Sequence, residues 1–326
     1  MQCARLKHFA RINTDGTVSR CGHMVNPPKF KTFEAMENSQ WLQDTLGLFD
    51  SDEWPIECRR CQDSETLEER SIRHFANEFH VQAISENREY LVVGGVLDNI
   101  CNSACQSCDD KHSTKIGALS SKEYIQINNE TAFYNLPLDR IVKLDINGGE
   151  PTASPVYKKL LENLPPNVKE VRVNTNGIRP LPGITKLIAD GVKLTITVSF
   201  DGIGRVHEYV RWPSNWEHFE STLRFYRELG DAINLNTWTT VHALNIGDLK
   251  NIIDYTRQHN INHSWALLEQ PDVLSVKYSN HFTRNVDIPE ELKSMVAIDR
   301  DNTVELQYWT TNQDILRGIK LWDYYK

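Results

Sequence analysis

Hydrophobic positions change their period along the chain. From Tyr90 onward, short apolar runs alternate with stretches in which apolar residues recur at helical spacing. The runs predict strands at Tyr90–Val96, Arg140–Ile146, Glu170–Asn174, Lys193–Phe200, Asn234–Val241 and His263–Leu268. The stretches between them predict helices at Ser121–Tyr134, Pro155–Leu164, Ile184–Asp190, Trp216–Leu229 and Gly247–His259. Such alternation implies parallel strands joined by right-handed crossovers. Six strand–helix units are too few to close an eight-fold barrel. They predict an α/β fold, a partial (β/α)6 TIM-like barrel. Before Tyr90 the pattern differs: ARINTDGTVSR alternates like a hairpin about Asp15-Gly16. The expected organisation is a small β-hairpin/helix domain at 1–82, the barrel at 83–270, and a capping segment at 271–326 whose last helix lies around Gln313–Tyr325.

Composition acts mainly by exclusion. The 326 residues are 40% hydrophobic and 25% charged, and no apolar run approaches a membrane span. Disordered, collagenous and integral-membrane classes are set aside. Lys and Arg number 36 against 44 Asp and Glu, a formal charge of −8, with no basic tract. That balance disfavours a nucleic-acid partner. The N-terminal MQCARLKHFAR lacks the apolar stretch of a signal peptide, which predicts a cytoplasmic protein.

The cysteines add the chemistry. Seven occur, at 3, 21, 58, 61, 101, 105 and 108, and none lies in the remaining two thirds of the chain. Ordinary core thiols would scatter over the elements, so this crowding points to metal or chemistry in a reducing compartment. Cys101, Cys105 and Cys108 stand in CNSACQSC, where Asp98-Asn99 breaks the preceding strand and opens a loop able to wrap one centre. Soft thiolates select iron–sulfur, zinc or copper(I). Structural zinc normally takes four ligands, and His112 or Asp109 is at hand for the fourth. In the other group, Cys3 and Cys21 flank the hairpin, which predicts them on neighbouring strands. Cys58 and Cys61 follow Trp54-Pro55 at metal-grip spacing. By spacing alone this second group reads as a zinc knuckle.

Barrels of this kind gather their chemistry at the carboxyl ends of the strands. The first strand runs into the cysteine triplet, and the second into Asn147-Gly148-Gly149-Glu150-Pro151. The third ends in Asn174-Thr175-Asn176-Gly177, the fourth in Ser199-Phe200-Asp201-Gly202. Any one of these is an ordinary turn signal. Four in succession at one face of the barrel mark a site.

These motifs resemble the radical S-adenosylmethionine (SAM) enzymes, whose CxxxCxxC signature matches CNSACQSC and whose GGE motif matches NGGEP. NTNG, SFDG and the following Glu208-Tyr209-Val210-Arg211-Trp212 resemble the branch that carries auxiliary clusters. Cys3, Gly16 and Cys21, with Cys58 and Cys61, are similar to a SPASM/Twitch module, placed here before the barrel. The stretch from Cys61 to Phe79, with Glu65, Ser71 and Arg73, resembles that group too. The resemblance implies two [4Fe-4S] clusters. Cys101, Cys105 and Cys108 would hold the catalytic one, leaving an iron open to SAM. Cys3, Cys21, Cys58 and Cys61 would hold the auxiliary one.

The resemblance further implies that SAM is reductively cleaved to a 5′-deoxyadenosyl radical, which abstracts hydrogen from a substrate. Gly148 and Gly149 would let the backbone approach SAM, and Glu150 would accept from its ammonium. Asn176, Ser199 and Asp201 suit ribose hydroxyls or the carboxylate, and Arg211 suits the carboxylate. Turn capping or a surface ion pair explains those four equally well. The family usually has an aromatic residue just before the third cysteine, and this chain has Ser107 there.

Three and four account for all seven thiols, so none is left as a hydrogen-atom donor. That favours an oxidoreductase with net oxidation, by dehydrogenation or crosslinking, the auxiliary cluster accepting the electron. The expected partners are an electron donor such as flavodoxin or ferredoxin, and a small-molecule or peptide substrate. The alternatives are a redox-neutral rearrangement or epimerisation with a structural second cluster, and a non-catalytic zinc-stabilised binding module. Trp212, Trp216 and Trp238 are read as core before cavity lining, and His207, His242 and His263 as structural. Glu269 ends the sixth strand on the face expected to touch a ligand.

Overall fold

The computed structural model describes residues 1–84, 89–120 and 123–325. Its main strands are β1 (Phe9–Ile12), β2 (Val18–Ser19), β3 (Leu91–Val96), β4 (Ile141–Asn147), β5 (Glu170–Thr175), β6 (Lys193–Ser199), β7 (Ile233–Val241) and β8 (Asn262–Leu267). From β3 to β8 every end falls within one residue of the sequence expectation. The chain divides into two compact units.

The first unit comprises residues 1–98, 127–148 and 159–172. Here β2 pairs antiparallel with β1 as the hairpin predicts, while β1 pairs parallel with β3, and β3 with β4. The approach of β1 to β3 needs glycine. Gly95 has φ +116°, and a Cβ there would meet the Ile12 carbonyl oxygen at 2.1 Å. Asn129 fastens the end of β3. Its amide nitrogen donates to Leu97 O at 2.7 Å, and its side chain donates at 2.8 Å to both Val96 O and Asn13 O. That anchoring corrects the helix expected at Ser121–Tyr134. Residues 121–122 lie outside the described residues, Asn128 bridges to Asp98, and the helix is only Glu130–Tyr134. Long-range hydrogen bonds have overridden a local periodicity.

The second unit comprises residues 99–126, 149–158 and 173–326. Its strands β6, β7 and β8 pair in parallel and in order. Leu194, Ile196 and Val198 of β6 are buried, as are Phe219, Leu223 and Tyr226 at helical spacing on Trp216–Glu228. Each such apolar side chain contributes about 2 kcal/mol by leaving water. Asn215 caps that helix, its side chain accepting from the His218 amide at 3.0 Å. Three helices depart from expectation, and the first is Thr114–Leu119, which the sequence pattern does not suggest. Arg205–Val210 is helical where the sequence pattern suggests no helix, and the C-terminal helix is Thr303–Arg317 instead of Gln313–Tyr325. It stops because Gly318 takes the left-handed conformation, φ +66°, that closes helices. Among the described residues no helix is long and apolar enough to cross a membrane.

Candidate functional site

The cysteine triplet lies on a loop held along its length. Cys101 N donates to the Thr114 hydroxyl at 3.1 Å, and the Ser113 hydroxyl donates to Ser103 O at 2.6 Å. Ala104 N and Gln106 N donate to Trp212 O and Val210 O at 2.6 and 2.7 Å, so the C-terminal end of helix Arg205–Val210 backs the loop. Cys105 is buried, Cys101 half-buried and Cys108 exposed, and none is in a disulfide. Burial, helped by the neighbouring Cys105, pushes the Cys101 thiol up to about 12. Burial also raises Cys105, against the pull of the Arg211 cation. Such thiols ionise when a metal cation takes them, which is the chemistry a cluster asks of its ligands.

Five of the expected ligand-binding residues, Gly149, Glu150, Asn176, Asp201 and Arg211, lie against or act on this loop. A Cβ at Gly149 would lie 2.0 Å from Ile100 O, the residue before Cys101, so only glycine fits. Next to it, Glu150 N donates to that same oxygen at 2.7 Å. The Glu150 carboxylate is buried and accepts from Thr152 N at 3.0 Å, the Thr175 hydroxyl at 2.8 Å and Asn176 N at 2.6 Å. Burial raises its pKa, and these donors oppose the rise. Asn176 in turn donates to Asn102 Oδ1 at 2.7 Å and Ser103 Oγ at 2.9 Å. Buried Asp201 pairs with the half-buried Arg211 at 2.6 Å, and Asp201 Oδ1 also accepts from Thr240 N at 2.9 Å. Burial lowers the Arg211 pKa, but the facing Cys105 and Asp201 charges outweigh it, and the net shift is upward. Ser199 ends β6 half-buried, and Gly148 is half-buried just after β4.

Several residues of this network carry no motif. Thr114, Ser113, Asn102 and Ser103 pin the loop, and only Ser113 announces itself, as the N-cap of helix Thr114–Leu119. Outside the network, His207 is buried among Phe200, Trp216 and Phe219, its nitrogens without hydrogen-bond partners among the described residues. His242 is buried too, its Nδ1 accepting from Leu244 N at 3.2 Å. The Thr237 hydroxyl lies 3.0 Å from His263 Nδ1. Trp216 belongs to that aromatic cluster, Trp212 is half-buried with Lys115 over its ring, and Trp238 is exposed at 40%. Glu269 is exposed.

The other four thiols lie in the first unit. Cys21 and Cys58 share a buried cluster with Leu6, Met24 and Phe49, and Cys3 packs against it. Contrary to expectation, Cys3 and Cys21 are not on neighbouring strands. Cys3 precedes the helix Arg5–His8 and Cys21 follows β2, because the chain coils into a helical turn before it becomes extended. Cys58 closes a short 3₁₀ turn and Cys61 lies in helix Arg59–Thr66. The Arg5 guanidinium and the His23 amide donate to Cys21 Sγ at 3.5 and 3.4 Å. The Ser71 hydroxyl donates to Glu65 Oε1 at 2.5 Å and the Arg73 amide to Ser71 Oγ at 3.2 Å, both near Cys61. Arg73 also binds Glu65 and reaches Gln2 O at 2.8 Å, beside Cys3. Burial, with Cys21 nearby, pushes Cys3 up to about 11, and burial likewise raises Cys58. The four thiols are mutual electrostatic neighbours, and two donors reach Cys21 Sγ, a sulfur-rich surrounding that suits a cluster. Among the described residues no three His, Cys, Asp or Glu side chains are gathered as ligands of a single metal ion.

Residues 96–256 match the Radical SAM superfamily. No curated protein matches the chain. Among solved structures it is similar to native anSMEcpe with bound AdoMet, at 14% identity and a TM-score of 0.44 over 70% of this chain and 62% of that one. It is also similar to Streptococcus suis SuiB bound to S-adenosylmethionine, at 13% identity and 0.43 over 95% and 70%. For SuiB bound to precursor peptide SuiA, identity is 13% and the TM-score 0.41, over 97% and 70%. The chain spans 55% of the length of a second, affinity-tagged anSMEcpe structure with bound AdoMet.

Proposed function

We propose that the protein is a radical SAM oxidoreductase with two [4Fe-4S] sites, a reading supported by the match of residues 96–256 to the Radical SAM superfamily. The observation that carries the reading is the cysteine loop, joined through Asn102 and Ser103 to Asn176 and through Asn176 to the Glu150 carboxylate. Cys101, Cys105 and Cys108 hold the first cluster. When bound, that cluster and SAM supply a 5′-deoxyadenosyl radical able to take hydrogen from a substrate. Gly149 lets the backbone just before Cys101 pack against the chain just before Glu150, because any Cβ there strikes Ile100. Glu150, its carboxylate oriented by three donors, receives the SAM ammonium on remaining lone pairs. Arg211, steered by Asp201, would meet the SAM carboxylate, and Asn176 would serve beside it; Gly148 and Ser199 are assigned to SAM by their motifs.

Residues 1–82 carry the auxiliary site. Cys3, Cys21, Cys58 and Cys61 leave no position for substrate there, which suits it to receive the electron released by a net oxidation. The substrate is a small molecule or a peptide side chain. The reducing electron comes from a flavodoxin or ferredoxin in the cytoplasm.

The test is anaerobic reconstitution. The expected product is a brown protein with roughly eight irons per chain that forms 5′-deoxyadenosine from SAM under dithionite. Stoichiometric zinc without iron would overturn the reading.

A further inference from the structure

The helix Thr303–Arg317 lies beyond the matched segment 96–256, yet its last residue enters the cysteine loop. Arg317 is 6% exposed. Its Nε donates to Ala104 O at 2.8 Å and its Nη2 to Cys105 O at 3.2 Å. Its Nη1 donates to Gln313 Oε1 at 2.6 Å and Gln313 O at 3.1 Å. The helix is itself held in place, with Tyr209 Oη donating to Asp314 at 2.8 Å and Leu321 N donating to Asp314 at 2.7 Å.

All the hydrogen-bond acceptors of this buried guanidinium are neutral oxygens. The one carboxylate among the described residues that acts on it, Asp314 a helical turn back, does not bond it and is engaged by Tyr209 and Leu321. Arg211, the other cation beside Cys105, is paired with Asp201. A buried charge is costly unless something of opposite sign compensates it. Two carbonyl acceptors could be served by a neutral side chain at less cost. A full positive charge here becomes favourable once negative charge accumulates at the loop it grips, as it does when three thiolates hold a cluster that is then reduced.

We propose that Arg317 is a positioning and charge-compensating residue of the first cluster site. It fixes the Ala104 and Cys105 carbonyls by a two-pronged grip and eases addition of an electron. This rests on the radical SAM reading above. Charge and hydrogen bonding around a cluster are general determinants of its potential, and the groups behind the ligands orient them.

The experiment uses the full chain, anaerobically reconstituted, as wild type, Arg317→Gln, Arg317→Lys and Gln313→Leu. Three quantities are read: the midpoint of the EPR signal that responds to SAM, iron retained after gel filtration, and SAM affinity. Arg317→Gln is expected to shift the midpoint negative, lose one cluster's iron faster and bind SAM about ten-fold more weakly. Arg317→Lys keeps the charge without the fork, so the midpoint stays near wild type while iron loss accelerates. Should Arg317→Gln fail to fold, Gln313→Leu decides. Loss of that acceptor is expected to accelerate iron release with the midpoint unchanged, and wild-type retention overturns the inference. Iron in the wild type with an Arg317→Gln variant identical in midpoint and retention overturns this inference alone. A wild type that takes up no iron overturns the radical SAM reading beneath it.

Discussion

Gly149→Ala tests the site with a single methyl group. At most tolerant helical positions this substitution stabilises a protein by about 0.5–1 kcal/mol. Here the added Cβ meets Ile100 O at 2.0 Å, Ile100 C at 2.5 Å and Asn99 C at 2.7 Å. All three are backbone, so no side chain can swing aside. Ordinary contact begins at 3.4 Å, and the Ile100 carbonyl must retreat by about 1.4 Å. That retreat breaks the 2.7 Å bond from Glu150 N and displaces the residue before Cys101. Overpacking costs about 1–3 kcal/mol and the lost bond about 1, for a destabilisation of about 2–4 kcal/mol. Urea unfolding measures it, with Gly47→Ala as the control. Gly47 lies inside helix Gln40–Asp50, where an added methyl would meet nothing within 4 Å, so that variant should be slightly more stable than wild type. Calorimetric SAM titration should show weaker binding for Gly149→Ala alone. A Gly149→Ala protein as stable as wild type, with wild-type SAM affinity, would refute the reasoning.

Other expectations follow from the same geometry. Cys105→Ala should abolish 5′-deoxyadenosine formation, whereas Cys58→Ala should leave part of it; chromatography of quenched reactions distinguishes the two, and equal loss would assign the N-terminal thiols a structural role for the whole protein. His242 is pushed down to about 4 by burial, with Arg211 adding to the shift and Asp201 opposing it. The unfolded chain then binds the extra proton first, so this contribution to stability is full above pH 6.5 and lost as pH falls toward 4. The urea midpoint should decline over that window, and His242→Asn should flatten the decline. Asn129→Ala strands the Val96 and Asn13 carbonyls and should cost about 2–3 kcal/mol, read from the same unfolding curves.

The barrel strands were legible because each is a short apolar run closed by a polar or glycine-rich end, a signal contained within a few residues. What escaped depends on partners far along the chain. Residues 123–129 carry part of a helical periodicity, but Asn129 finds three backbone oxygens in the first unit and these residues stay out of a helix. The last helix ends before its expected span because Gly318 takes the left-handed conformation and stops it. Asn176 was legible as a strand-end polar residue, but its grip on Asn102 and Ser103 was not. Arg317 had no signal at all: it acts on residues more than 200 positions away.

The parallel pairing of β1 with β3 has a consequence for anyone wishing to cut the chain at the boundary the motifs suggest. β1 supplies the hydrogen-bonding partner for the outer side of β3, from Phe9 against Val92 to Ile12 against Gly95. Excision of residues 1–82 would strip that side bare and leave Leu91–Val96, an uncharged and largely apolar strand, as an open edge. Such an edge templates pairing with other chains. The hairpin therefore serves as a guard against aggregation as well as the bearer of Cys21, and a barrel released from it should precipitate even with every residue of the candidate site intact.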